Sequence, residues 1–276
     1  MDQKIKVEQK NAKPFLRWAG GKRWLISELK QFLPQEGFNN YHEPFLGGGA
    51  IFFHLQQNKS FLSDLNKDLV TTYLAVRDDV DNVIKYLKAF KNTEEDYYRI
   101  RCQNFRLSAK KAAQFIYLNQ TSFNGIYRVN QKGKYNVPYG KRNNISFNYE
   151  NLYLAHEALQ NAVISSKDFY DSIHEIEEGD LVFLDPPYTV THNNNGFITY
   201  NQKLFSIDQQ YRLAEMIKEV RRKNAYYIMT NAAHPEIIEI FGNGDQIFEL
   251  KRNSLIGAKS SSRGKYEEIV LTNGVK

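Results

Sequence analysis

Chemistry in this chain concentrates where a short apolar run ends. Leu181-Val182-Phe183-Leu184 passes directly into Asp185-Pro186-Pro187-Tyr188. Four apolar residues after the turn-like Glu178-Gly179-Asp180 read as a buried strand. Neither proline can donate to a sheet, and the second also restricts the first, so the segment leaves the strand rigidly. An acid, a bare carbonyl and an aromatic face are thereby held at the carboxyl end of a strand, where open α/β sheets bind their ligands. Such a set can hold a flat ring that bears an amino group. An ordinary strand-terminating Pro-Pro turn fits the same four residues equally well.

Two further stretches could handle an anionic or aromatic ligand. Trp18-Ala19-Gly20-Gly21-Lys22 is a tight glycine turn before an amphipathic helix expected over Trp24–Leu33. It is not a phosphate loop, because the earlier glycine is missing and Arg23 stands where Ser or Thr is required. The second stretch, Glu43-Pro44-Phe45-Leu46-Gly47-Gly48-Gly49, follows a strand at Tyr41 and precedes a helix over Ile51–Gln57. Its glycines allow close backbone approach to a ligand but lack the dinucleotide-binding spacing. A second strand, Ser60–Ser63, ends in Asp64, placed as the acid that accepts ribose hydroxyl hydrogens in Rossmann-like units. Asp64 could equally cap a helix over Leu69–Val76, and the two roles are compatible. A strand from Ala162 likewise runs out near Asp168-Phe169.

The elements that must carry these residues form one α/β pattern with a break. Helical patterns at Val83–Phe90, Glu94–Arg106 and Ala109–Leu118 lead to a loop rich in Asn, Gly, Tyr and basic residues. Asn124-Gly125 and Lys132-Gly133 supply turn chemistry, and a short strand over Lys134–Val137 makes a hairpin. The pattern resumes after Ala162 with a polar segment, Thr189–Tyr200, a capping box Ser206–Gln209 opening a helix to about Lys223, and strands at Ala225–Thr230, Gln246–Leu250 and Glu267–Thr272. The segment Thr189–Tyr200 has the composition of a mobile lid.

Composition narrows the class. The 276 residues, 42% hydrophobic and 25% charged, suit one large core or a core plus an inserted subdomain. No run approaches the roughly 20 apolar residues of a membrane span, and the polar amino terminus does not resemble a secretory signal. A single cysteine, Cys102, excludes an internal disulfide and a cysteine-built zinc site. These features point to the cytoplasm, and no metal or membrane contact is expected. The net charge of +6 is unevenly placed: from Tyr97 to Asn148 there are ten Lys or Arg and no Asp or Glu. That segment reads as a phosphate-facing groove, with Phe123, Tyr127, Tyr135 and Tyr139 for stacking and Lys134, Lys141 and Arg142 among its cations. Lys259-Ser260-Ser261-Ser262-Arg263 is a second phosphate-contact candidate or a solvated hairpin loop.

Taken in order, these pieces resemble the Dam-type (α-group) DNA adenine-N6 methyltransferases. The resemblance rests on Phe15–Lys22, Glu43–Ala50, Asp64-Leu65-Asn66, Phe123–Arg128, Asn136–Gly140 and Asp185–Tyr188, spanning nearly the whole chain. It implies an α/β fold: a seven-stranded, Rossmann-like methyltransferase sheet with a mainly helical target-recognition insertion carrying a β-hairpin. The implied division is 1–68 and 160–276 for the catalytic domain and 69–159 for the insertion.

The resemblance implies S-adenosylmethionine as methyl donor, contacted by Trp18, Lys22, Asp64 and Asp185. Phe45, Gly47 and Gly49 would line its methionine side, and Asp168 with Phe169 would flank its adenine. The substrate would be an adenine flipped out of duplex DNA. Asp185 and the Pro186 carbonyl would accept its N6 hydrogens, Pro187 would stiffen the turn, and Tyr188 would stack on the ring. Asn124, Ile126, Arg128 and Pro138 match positions that read GATC, Phe123 matches an aromatic that inserts beside the target pair, and Lys259 and Arg263 lie in a family-like segment. A cognate restriction endonuclease, needing no direct contact, is the other partner compatible with the resemblance. Competing readings are an RNA or protein-glutamine amino-group methyltransferase, or an inactive DNA-binding relative. Cys102 is the wrong residue for a cytosine-type nucleophile. A nicotinamide oxidoreductase conflicts with the glycine pattern.

Overall fold

A computed structural model describes residues 11–57, 59–130, 132–142, 145–188, 205–242, 244–253 and 265–275. The expected lid at Thr189–Tyr200 and the basic segment with Lys259 and Arg263 lie outside the described residues.

A seven-stranded sheet organises the fold. Its strands are β1 (Tyr41–Glu43), β2 (Ser60–Ser63), β3 (Ala162–Ser165), β4 (Leu181–Leu184), β5 (Tyr226–Ala232), β6 (Gln246–Asn253) and β7 (Lys265–Thr272), in the order β3-β2-β1-β4-β5-β7-β6. β4 lies between β1 and β5 and is parallel to both, with Leu181 opposite Tyr41 and Tyr226. All four β4 side chains are buried, which is why its sequence is continuously apolar rather than alternating. β7 runs antiparallel to β5 and β6. Strand order reverses direction between β1 and β4, so the loops leaving these neighbours part at their carboxyl ends, the ligand crevice of open α/β sheets.

The turn before β4 forms as its sequence demands. Gly179 has φ +78°, and a Cβ there would lie 2.6 Å from Asn39 Nδ2. Asp180 then joins the starts of β1 and β4: it bonds His42 Nε2 at 2.8 Å and accepts from the backbone N–H groups of Asn40 and Glu177, both at 3.0 Å. Burial alone would raise the Asp180 pKa, but the His42 bond and the two N–H groups outweigh it and hold the carboxyl below its ordinary value.

The helices are α1 (Ala50–Leu55), α2 (Lys67–Asp78), α3 (Val80–Ala89), α4 (Glu94–Cys102), α5 (Ser108–Thr121), α6 (Tyr149–Leu159), α7 (Ile207–Arg222) and α8 (Pro235–Phe241). Two compact units divide the chain. One comprises the described residues up to Trp24, Gly47–Asn58 and Asn66–Ile164; the other comprises Leu25–Leu46, Lys59–Leu65 and everything from Ser165 onward. In the first, α2, α3 and α5 pack through Leu69, Tyr73, Val83, Leu87, Ala113 and Ile116, all buried. In the second, Val182, Leu184, Tyr227, Met229 and Ile269 form a core with Leu213, Met216 and Val220 of α7.

Several local expectations are corrected. Trp24–Leu33 is not an α-helix but two 3-10 stretches, Lys22–Ser27 and Leu29–Phe32; Pro34 forces Leu33 into extended backbone and ends the second. α4 stops at Cys102, short of Arg106, because Gln103 is extended and the Gln114 side chain takes the carbonyls of Ile100 and Gln103. The loop after α5 holds isolated bridges, Ser122 with Tyr139 and Val129 with Tyr135, in place of a strand over Lys134–Val137. α2 is capped by Asn66, whose side chain accepts from Asp68 and Leu69, so Asp64 is not its cap. Ser206 does precede α7, without a side-chain capping bond, and Gln209 instead accepts from Arg212 at 2.7 Å.

Candidate active site and recognition loop

In the second unit the carboxyl ends of the strands carry a row of acids, several met by a hydroxyl. Asp185 leaves β4 half-buried, and Thr230 Oγ1 donates to its Oδ1 at 2.9 Å. Thr230 is fully buried on β5, one residue beyond Met229, which pairs with Leu184. The parallel register therefore sets a hydroxyl beside the first residue after the strand. Pro186 is buried and Pro187 and Tyr188 half-buried. The Tyr188 hydroxyl donates to Glu268 Oε2 at 2.6 Å, and Glu268 is buried on β7. On β1, Tyr41 donates to Glu43 Oε2 at 2.9 Å, as i and i+2 on one strand face must. Burial, then the charges of Glu43 and Asp185, push the Tyr41 pKa well above its ordinary value, so this phenol stays a donor.

The loop after β1 turns onto β2: Leu46 N donates to Ser63 O at 3.0 Å, next to Asp64. Phe45 stacks on Phe169 with centroids 5.1 Å apart and planes 25° from parallel, and Phe205 meets both at 5.7 Å. Asp168 caps the 3-10 turn Phe169–His174 by accepting from Tyr170 N at 3.0 Å. Its carboxylate is also clamped by Arg212 of α7 at 3.0 and 3.3 Å, whose guanidinium lies 5.1 Å from the Phe169 ring centroid. Acids at the ends of β2 and β3, beside stacked aromatic rings, form a donor set that fits an adenosine group. Phe45, Asp64, Asp168, Phe169 and Asp185 thus share one strand edge.

In the first unit Trp18, Gly47 and Gly49 come together. A Cβ on Gly47, whose φ is +47°, would lie 2.7 Å from the Trp18 indole, and one on Gly48 would lie 3.1 Å from Trp18 Cβ. These glycines therefore make room for Trp18. Tyr73 donates to Gly47 O at 3.2 Å, and Gly49, at φ +63°, stands at the start of α1. Lys22 is buried, with Nζ donating to Gly20 O at 2.7 Å.

The loop after α5 corrects the expectation of an aromatic stacking surface. Tyr127 stacks on Trp18 at 5.6 Å and on Phe115 at 5.1 Å. Tyr135 donates to Ile126 O at 2.7 Å, with its pKa pushed up to about 12, chiefly by burial. Tyr139 donates to Asn92 Oδ1 at 2.9 Å. These three rings build the loop, whereas Phe123 is half exposed. Asn124 beside it has φ +56° and is exposed, as Asn tolerates. Ile126 is half-buried; Lys134, Pro138 and Lys141 are exposed. Arg128 Nε donates to Asn136 Oδ1 at 2.8 Å on the exposed side. Arg142 instead donates to Gln120 O at 2.8 Å and Ser122 O at 3.0 Å, satisfying carbonyls at the end of α5. Burial, and then Arg17, lower its pKa.

Thr230, Glu268 and Arg212 escaped the sequence reading. No local signal marks them, since each reaches its partner through sheet register or helix packing. The Tyr41–Glu43 pair was also not read, although strand alternation puts both on one face and could have signalled it.

A seven-stranded sheet with this order, closed by an antiparallel β7 and carrying Asp-Pro-Pro-Tyr at a switch point, defines a Rossmann-like methyltransferase. The chain belongs to the D12 class of N6 adenine-specific DNA methyltransferases, whose family model matches residues 18–255. It is 34% identical to the Type II methyltransferase M1.LlaDCHI of Lactococcus lactis subsp. cremoris, over 95% of this chain and 96% of that protein. It is also 34% identical to the Type II methyltransferase M.MjaIII of Methanocaldococcus jannaschii, over 94% and 98%. With the DNA adenine methylase of Escherichia coli (strain K12) it shares 31% identity, over 80% and 81%. The protein is an adenine-specific DNA methyltransferase acting on DNA with a methyl donor, and among the described residues no helix is long and apolar enough to cross a membrane.

Proposed function

We propose that this enzyme methylates N6 of an adenine flipped out of duplex DNA, within GATC, and that its donor is S-adenosylmethionine. The observation that carries this reading is the anchored Asp185–Tyr188 segment: an acid held by Thr230 and an aromatic ring held by Glu268, at the end of a buried strand. The adenine N6 lone pair is delocalised into the ring and is a poor nucleophile. Asp185 and the Pro186 carbonyl accept the two N6 hydrogens and draw that nitrogen toward a tetrahedral geometry. Tyr188 stacks on the extruded ring, since an adenine within a duplex presents only its edges. Positioning and electrostatics then account for most of the rate, with no covalent enzyme intermediate.

The donor supplies an electrophilic methyl on a cationic sulfur. Phe169 offers a face to its adenine, Phe45 lines its methionine side, Asp64 and Asp168 accept hydrogens from its ribose and amino groups, and the acids at the strand ends suit its positive charge. By resemblance Trp18, Lys22, Gly47 and Gly49 also serve donor binding. Residues 69–159 act as the target-recognition insertion. In it, Arg128 reads a guanine, Asn124, Ile126 and Pro138 meet base edges, Phe123 inserts beside the target pair, and Lys134, Lys141, Lys259 and Arg263 contact phosphates, while Arg142 braces the end of α5. Whether a restriction endonuclease is paired with it in the cell bears only on its biological role.

The test is methyl transfer from labelled donor to duplex DNA, structured RNA and protein in parallel. Duplex DNA alone takes the label, on adenine N6. Asp185→Ala abolishes transfer and leaves duplex binding within about twofold; sustained turnover by this variant, or label on RNA or a glutamine amide, refutes the reading.

A further inference from the structure

Glu268 belongs to no segment that carries the family resemblance, yet it is buried on β7 with a catalytic-segment hydroxyl as partner. Directly across the sheet stand Ala232 on β5 and Leu250 on β6, neither with a side-chain donor. Burying a carboxyl between two apolar neighbours is costly unless it is hydrogen-bonded. The bond it receives, 2.6 Å from the Tyr188 hydroxyl, has the length of a charge-assisted O–H···O contact. Tyr188 sits two prolines beyond Asp185, so its backbone is restrained, but its side chain still has two soft torsions. Anchoring the hydroxyl fixes the direction of the ring axis.

We propose that Glu268 is a positioning residue that orients Tyr188 and enriches its ring for methyl transfer to the stacked adenine. This rests on the functional reading above. As N6 forms its bond to the methyl carbon, the carbon–sulfur bond breaks and its electron pair returns to sulfur. The purine carries a positive charge until an N6 proton leaves to water. A phenol that donates to a carboxylate has more electron density on its ring face, and such a face attracts a developing cation as in a cation–π contact. Stabilisation confined to the transition state appears in the transfer rate rather than in substrate affinity.

The experiment compares wild type, Glu268→Gln, Tyr188→Phe and the double variant by single-turnover methyl transfer. Duplex affinity and the fluorescence of 2-aminopurine at the target position are measured alongside. Glutamine keeps the acceptor oxygen but removes the charge, so the rate falls roughly 5- to 10-fold with duplex affinity within about twofold. Both single variants brighten 2-aminopurine relative to wild type, because a less ordered tyrosine or phenylalanine stacks less closely on the extruded base. In the Tyr188→Phe background, Glu268→Gln costs less than about twofold, since its partner is already lost. A Glu268→Gln rate and fluorescence equal to wild type, or full additivity of the two changes, overturns the proposal. Should Glu268→Gln melt far below wild type, Tyr188→Phe alone decides: wild-type rate and fluorescence overturn it. Failure of the broader reading is distinct, because it shows in the wild type as absence of adenine N6 methylation.

Discussion

Replacing Thr230 by valine removes one hydroxyl and keeps the β-branched shape that fits its strand. The hydroxyl is fully buried and donates to Asp185 Oδ1 at 2.9 Å. Hydrogen bonds to charged groups contribute roughly 1.5–3 kcal/mol, and because Asp185 is half-buried, water replaces part of what is lost. The lower end applies, about 1.5 kcal/mol, which corresponds to about a 10-fold fall in the rate of the chemical step. The loss is expected to fall on transfer rather than on duplex affinity, because Thr230 holds the acid proposed to grip N6. Single-turnover transfer to a duplex with one target, at saturating donor, measures it directly. Thr230→Ser restores the hydroxyl and recovers most of the rate. A Thr230→Val enzyme that melts like wild type and transfers within twofold of its rate refutes the argument that this bond orients Asp185.

Two further outcomes follow from named contacts. Arg128 spends only Nε on Asn136, and among the described residues its terminal nitrogens make no side-chain bond, which leaves them for the guanine edge proposed above. Arg128→Ala is expected to relax methylation at the guanine position by about 1–3 kcal/mol of discrimination while lowering the maximal rate less; unchanged GATC preference in plasmid-wide mapping refutes this. Asp180 has a folded pKa below its unfolded one, so its contribution to stability is present above the unfolded value of 3.8 and is lost as pH falls through the lower folded value. Thermal melting of wild type therefore declines as pH drops below about 4, whereas Asp180→Asn starts less stable and shows a flatter profile there; parallel profiles refute the linkage.

The loop after α5 was the least legible part of the chain. Four aromatic residues among cations suggested a stacking surface, and only Phe123 is half exposed. Tyr127, Tyr135 and Tyr139 have the same composition and local spacing as surface rings, but Trp18 and Asn92, which hold two of them, come from distant positions. Arg142 was likewise indistinguishable from a phosphate contact until the end of α5 was found beneath it. Gly47 and Gly48 were read as allowing the backbone to approach a ligand; the group that packs against them in the fold is the Trp18 side chain, which no local pattern signals.

What the sequence by itself determined is whatever depends on neighbours along the chain. The buried β4 follows from four consecutive apolar residues, its abrupt end from two prolines, and the turn before it from Gly179. The tertiary structure alone decided which partner each acid has. Thr230 reaches Asp185 across the parallel register of β4 and β5, Glu268 reaches Tyr188 from a strand 80 residues later, and Arg212 reaches Asp168 from α7. Hydrogen bonds act over about 3 Å in space, and no local pattern records which distant residue the folding of the sheet will bring within that reach.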